Sequence, residues 1–191
     1  MSPARLEAFT DGVVAIIITI MVLELHVPQG TDAASLMAAA PVFIVYVISY
    51  VNVGIFWSNH HHMLHITDHV DGRVLWANLH LLFWMSLIPF VIRWMDETHF
   101  AASPIAAYGV VLGMGAIAYT LLQKAIILRD GPQSRLARAV GRDWKGKTSL
   151  ALYFAAVPIA FISRWAAIAI YVAIALAWLV PDRRIESTLE R

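Results

Sequence analysis

The chain has 191 residues, of which 60% are hydrophobic and 14% charged, against about 25% charged in an ordinary soluble domain. A mean hydropathy of +0.68 agrees with that deficit, and a net charge of only +1 gives no electrostatic case for a nucleic-acid partner. With no cysteine, disulfides and thiolate metal sites are excluded.

A membrane span needs about 20 mostly apolar residues. Six segments qualify, at roughly 6–26, 37–59, 74–95, 103–127, 149–164 and 165–181. The fold class is therefore an all-α membrane protein with six transmembrane helices per subunit, and no linker divides residues 1–191. The N-terminus does not read as a cleavable signal: Arg5 is its lone basic residue, and the apolar run continues to Leu25 without a small-residue cleavage site.

The first span opens with Arg5 and Phe9-Thr10-Asp11-Gly12, runs apolar to Leu23, and meets Glu24. From Gly12 to Leu23 a helix rises only about 18 Å, against a hydrocarbon core of roughly 30 Å. Asp11 and Glu24 thus cannot both lie outside the membrane unshielded. Asp11 is expected to have a partner inside the protein; Glu24 reads either as an interfacial, solvated group or as a shielded one. At about 100° per residue, Ile16, Thr19, Ile20 and Leu23 fall in one stripe about 100° wide, with Asp11 about 140° from Ile16. The stripe taken alone is compatible with ordinary packing surface.

The second span ends in Phe56-Trp57 and a run of histidines, His60, His61, His62, His65 and His69. On a continuous helix His61, His65 and His69 share a face, with Asp68 close by, and imidazoles four residues apart can hold a zinc-like ion. The glutamate of an H-E-x-x-H motif is missing. Three readings stay open: hydrogen bonding of His60 and His61 to Thr10, Asp11 or Asn78; a metal site at His61, His65 and His69; and a pH-sensing role.

The third span carries Asn78-Leu79 and Pro89-Phe90, and the fourth carries Gly109 and Gly113, a small-xxx-small spacing that suits close helix contact. Pro89 and Pro158 are tolerable inside a bundle, where neighbouring helices satisfy freed backbone groups. The last two segments form one apolar stretch interrupted at Ser163-Arg164. A turn there gives two short spans; without it the stretch is one long helix and the span count is odd.

Orientation follows the Lys and Arg of the loops. Arg5, Arg73, the loop holding Arg129, Arg135, Arg138, Arg142, Lys145 and Lys147, and the tail with Arg183, Arg184 and Arg191 share one side of a six-span chain. Only Arg93 and Arg164 fall on the other, so both termini are expected to be cytoplasmic. The basic loop reads as a topology determinant at an anionic leaflet, with a lipid-binding or nucleic-acid patch as the alternative.

Arg5-Leu-Glu-Ala-Phe9-Thr10-Asp11-Gly12, running into Ala15-Ile16 and Val22-Leu23-Glu24, resembles the first-helix signature of the transmembrane protein 175 family of potassium channels. The family pattern is Arg, three residues, then Phe-Ser-Asp; Thr10 replaces the serine and keeps the hydroxyl. Phe56-Trp57 with His60-His61, and Asn78-Leu79 with Pro89-Phe90, extend the resemblance over the first three spans in the family's order. It implies six-span subunits assembled as homotetramers around a central pore lined by the first helix. It further implies aliphatic constriction rings at Ile16, Ile20 and Leu23, and a threonine layer at Thr19 that favours potassium. Arg5, Phe9, Thr10, Asp11, Trp57, His60, His61 and Asn78 would then form a structural network.

The expected function is a potassium channel, modestly selective over sodium, in the plasma membrane of a prokaryote, with potassium as permeant ligand and no cofactor. Its partners would be copies of itself, the bilayer and the ion. The Thr-Val-Gly-Tyr-Gly filter is missing, Val51-Asn52-Val53-Gly54 being only a superficial echo, and no run of arginines suggests voltage sensing. No nucleophile triad, phosphate loop or dinucleotide fingerprint points to an enzyme. The alternatives are a secondary transporter or a metal- or proton-coupled exporter using the histidines and Asp11, and a structural membrane subunit.

Overall fold

A computed structural model describes residues 2–67, 69–141 and 143–179, and within them the chain is entirely helical apart from turns. Asp68, Arg142 and the tail arginines Arg183, Arg184 and Arg191 lie outside the described residues.

The first helix, α1, spans Pro3–Leu23, with proline in its first turn, where a missing N–H removes nothing from the helix. A short helix α2 (Ala33–Ala38) follows, capped by Asp32, whose carboxylate accepts the Ser35 amide at 3.0 Å. The Ser35 hydroxyl, which also donates to this carboxylate, and then the amide bond hold the Asp32 carboxyl below its usual range. The long α3 (Ala40–His65) carries the second span well past its expected end near residue 59.

The third span is interrupted, as α4 (Gly72–Ser86) and α5 (Ile88–Glu97). Pro89 has no N–H to return to Met85, and the Leu87 amide bonds instead to Trp84, three residues back, at 3.3 Å. Then come α6 (Ala102–Asp130), α7 (Arg135–Val140), α8 (Trp144–Ile162) and α9 (Arg164–Leu179). Pro158 is accommodated inside α8. The expected interruption at Ser163-Arg164 is present: Ser163 is extended, with φ −150° and ψ 101°. Helices α8 and α9 fold back as a hairpin, since the indole of Trp178, near the end of α9, donates to the Ser149 hydroxyl near the start of α8 at 2.8 Å.

Among the described residues, four stretches are long and apolar enough to cross a membrane: Pro3–Leu23, Ala40–His65, Gly72–Glu97 and Ala102–Asp130. The fifth and sixth expected segments are helical too. Helix α9 is shorter, at 16 residues, and α8 carries Lys145 and Lys147 in its first turn.

Helix α6 is the centre of the bundle, packed against α4, α5, α8 and α9. Its small residues make this possible. A side chain at Gly109 would strike the Tyr171 hydroxyl of α9, and one at Gly113 would meet the Phe154 ring of α8 at 3.2 Å. Close packing of this kind, more than hydrophobic transfer, holds helices together in lipid. Polar groups in this core satisfy one another, as a membrane interior demands. Ser49 and Tyr108 share a hydrogen bond of 2.8 Å, and the Tyr171 hydroxyl donates to the Ile105 carbonyl at 3.1 Å.

Candidate functional site

Helix α1 has two faces. Leu6, Thr10, Val14, Ile17 and Met21, spaced at three and four residues, are buried against α3, α4 and α5. On the other side Ile16, Ile20 and Leu23 are 60%, 40% and 75% exposed within the single subunit, and Thr19 is exposed between them. Three branched aliphatics on an uncovered face is an arrangement a soluble subunit would avoid. Thr19 donates its hydroxyl hydrogen to the Ala15 carbonyl at 2.8 Å. With its hydrogen given to the backbone, the oxygen keeps its lone pairs uncommitted, as a group that replaces water around a cation must.

Beside this stripe a groove of about 810 Å³ runs between α1 and α5, with Ile16, Ile20 and Glu24 on one wall and Phe90, Arg93 and Trp94 on the other. Its upper end is clamped by charge. Arg93 donates to Glu24 at 3.1 Å and to Glu97 at 2.7 Å, tying the residue that ends α1 to α5. Glu24 is thus a paired carboxylate, and it remains partly exposed. Next to it His26 and Asp96 lie 2.6 Å apart. The spans alone do not reveal the Arg93 pairing; the one signal for it in the sequence is that Glu24 and Arg93 fall at the same end of their spans, away from the basic loop.

At the opposite end of α1 the polar residues expected in one network fall into three separate groups. Asn78, fully buried on α4, donates to the Thr10 hydroxyl at 2.9 Å and lies 2.7 Å from His60 Nε2 through its carbonyl oxygen. An amide oxygen only accepts, so His60 carries its proton on Nε2. Its Nδ1 is buried with no hydrogen-bond partner among the described residues. Asp11 does not join this triad. It is exposed at the edge of α1, and its carboxylate accepts the indole N–H of Trp57 on α3 at 2.8 Å. The expectation of His60, His61 or Asn78 as its partner is thereby corrected. The reason is reach: Thr10 faces the bundle, and Asp11, one residue or about 100° further round, meets only the flank of α3. His61 bonds to Glu7 instead, a residue that sequence reasoning passed over. Arg5 and Phe9 are exposed on α1.

The histidine face is shorter than expected. Helix α3 ends at His65, so His61 and His65 stack with ring centres 6.2 Å apart while His69 falls beyond the helix. Among the described residues no three His, Asp or Glu side chains converge as a metal would require.

The family model described as "Endosomal/lysosomal potassium channel TMEM175" matches residues 5–89, the segment that holds both the stripe and the buried triad. A protein of Chryseobacterium sp. (strain P1-3) described as a potassium channel is 48% identical over 100% of this chain and 99% of its own length. One from Chamaesiphon minutus, also described as a potassium channel, is 28% identical over 90% of this chain and 91% of its own. The crystal structure of a lysosomal potassium-selective channel TMEM175 homolog from Chamaesiphon minutus superposes with a TM-score of 0.81 and 26% identity. It covers 93% of this chain and 96% of that one.

Proposed function

The chain belongs to the TMEM175 family, and from that premise we propose that it is a potassium channel, a homotetramer in the plasma membrane of a prokaryote with α1 of each subunit lining one pore. The family consists of ion channels, not enzymes. Residues 1–191 act as one channel domain of six spans, with α8 and α9 as the short fifth and sixth, and with both termini cytoplasmic. The preference for potassium over sodium is modest.

The observation that carries this reading is the uncovered stripe of α1. A single helix cannot enclose a path for ions, so the face bearing Ile16, Thr19, Ile20 and Leu23 becomes a pore wall only when several copies turn it toward a common axis. Rings of Ile16, Ile20 and Leu23 form dry constrictions that resist hydrated ions, and a ring of Thr19 oxygens replaces part of a cation's hydration shell. One ring offers fewer oxygens than a multi-site carbonyl filter, hence the modest selectivity. Arg5, Phe9, Thr10, Asp11, Trp57, His60, His61 and Asn78 serve architecture and do not touch the ion.

The test is ion flux through purified protein in liposomes under opposed potassium and sodium gradients. Passive flux favouring potassium supports the channel. Saturable flux that needs a proton or metal gradient would replace it with an exporter, a reading that no arrangement of side chains described above favours.

A further inference from the structure

Where α6 passes into α8, the chain builds a cationic surface whose geometry goes beyond loop charge. Helix α6 ends at Gly131, whose φ of 95° turns the chain sharply, and Gly141, with φ 49°, closes α7. Between these turns α7 buries Leu136 and Ala139 and leaves Arg135 and Arg138 exposed on its other side. The next residues bring aromatic rings to the same end of the bundle. Trp144, the first residue of α8, is 64% exposed with the Lys147 amine 5.9 Å from its ring centre. Trp178 of α9 lies under Lys145 at 4.6 Å. Leu128, one turn before the end of α6, is 79% exposed.

Of the acids at this corner, Asp143 caps α8 through the Gly146 amide at 3.1 Å, Asp71 caps α4 through Arg73 and Val74, and Asp130 at the end of α6 is half-buried. What remains outward is the Leu128 side chain; the Trp144 indole, a ring type enriched at membrane interfaces, with Lys147 beside it; and the exposed cations Arg135 and Arg138 of α7. An anionic phosphate on an acyl-chain anchor matches all three at once: chains against Leu128, glycerol region against Trp144, phosphate against the arginines.

We propose that the α6–α7–α8 corner is a binding surface for anionic phospholipid headgroups, preferring them over zwitterionic lipids of the bilayer. The inference needs only that the chain lies in a membrane, and stands whether or not α1 lines a potassium pore.

The experiment reconstitutes the full chain in vesicles of equal phosphatidylglycerol and phosphatidylcholine, extracts it gently, and quantifies the lipid retained. The wild type should hold phosphatidylglycerol in roughly threefold excess or more. Arg135→Gln/Arg138→Gln/Lys147→Gln should bring the ratio toward parity, and Arg135→Lys/Arg138→Lys should keep it. Arg164→Gln, which removes an exposed cation beside Trp165 at the other end of the bundle, should leave it unchanged. If the triple variant does not assemble, the wild type still decides, because its excess should fall as potassium chloride rises and screening shortens. An equal lipid ratio in the wild type overturns the proposal, as does an excess indifferent to salt or one lost equally on Arg164→Gln. Retention that free phosphate abolishes at an ionic strength where potassium chloride leaves it intact would point to free phosphate as the ligand and overturn it too.

Discussion

Trp57 holds Asp11 across the α1–α3 boundary, indole to carboxylate at 2.8 Å, immediately beside the buried pair in which Asn78 holds Thr10 at 2.9 Å. Two neighbouring residues of α1 are thus fastened to two different helices.

Removing the carboxylate should loosen assembly more than it changes ion preference. Asp11→Ala is expected to lower thermal stability by at most about 1.5–3 kcal/mol, the range for a hydrogen bond to a charged group, and Asp11→Asn by less, since it keeps an acceptor for Trp57. Combining Asp11→Ala with Trp57→Phe should cost less than the sum of the two. A stable Asp11→Ala assembly with selectively reduced cation flux would reassign Asp11 to the ion path.

The buried triad should behave as a unit. Asn78→Ala leaves both Thr10 and His60 short of a partner, at about 1–3 kcal/mol for each unsatisfied group, and Thr10→Val in that background should add little. Thermal melts of the three variants check this, and full additivity would mean that the residues act separately.

Side-chain size along the stripe should set conduction. Ile16→Ala, Leu23→Ala and their Asn counterparts are expected to raise flux in liposomes without loss of assembly, because small or polar walls wet more readily. Unchanged flux in every variant would put the pore elsewhere.

Thr19→Val keeps the shape of the side chain and removes its oxygen. The reversal potential in mixed potassium and sodium should move toward the non-selective value. No movement would remove Thr19 from selectivity.

Gly109→Ala forces a methyl group onto the Tyr171 hydroxyl and should destabilise the subunit by about 1–3 kcal/mol, as overpacking does. Adding Tyr171→Phe should recover part of that loss. A Gly109→Ala protein that melts like the wild type would show that α6 and α9 can separate freely.

The helices and the stripe were legible because they rest on apolar run length and a 3.6-residue period, which act locally. The pairings were not. Helical angle separates Asp11 from the stripe, but that it lies exposed at the edge of α1, and which side chain of α3 lies opposite, depend on the rotation of the helices, which no local pattern encodes. The same holds for Glu24 and Arg93, 69 positions apart. Pro89 was read as tolerable within one span, and it does stay within the span, yet the helix divides at Leu87 because the missing N–H leaves the turn before it unsupported. His69 was placed on the α3 face because nothing between His65 and His69 resembles a strong helix breaker.

The bond from Thr19 to the Ala15 carbonyl also bears on charge sign. With its hydrogen committed to its own helix, the side chain meets a passing particle much as an ether oxygen would, offering lone pairs and no donor. Chloride, which needs N–H or O–H groups to shed water, finds none on this face beside isoleucine and leucine. If the proposed tetramer lines its pore with this face, exclusion of anions would then come from how one threonine bonds to the turn beneath it, with no fixed negative charge required at the narrowest point.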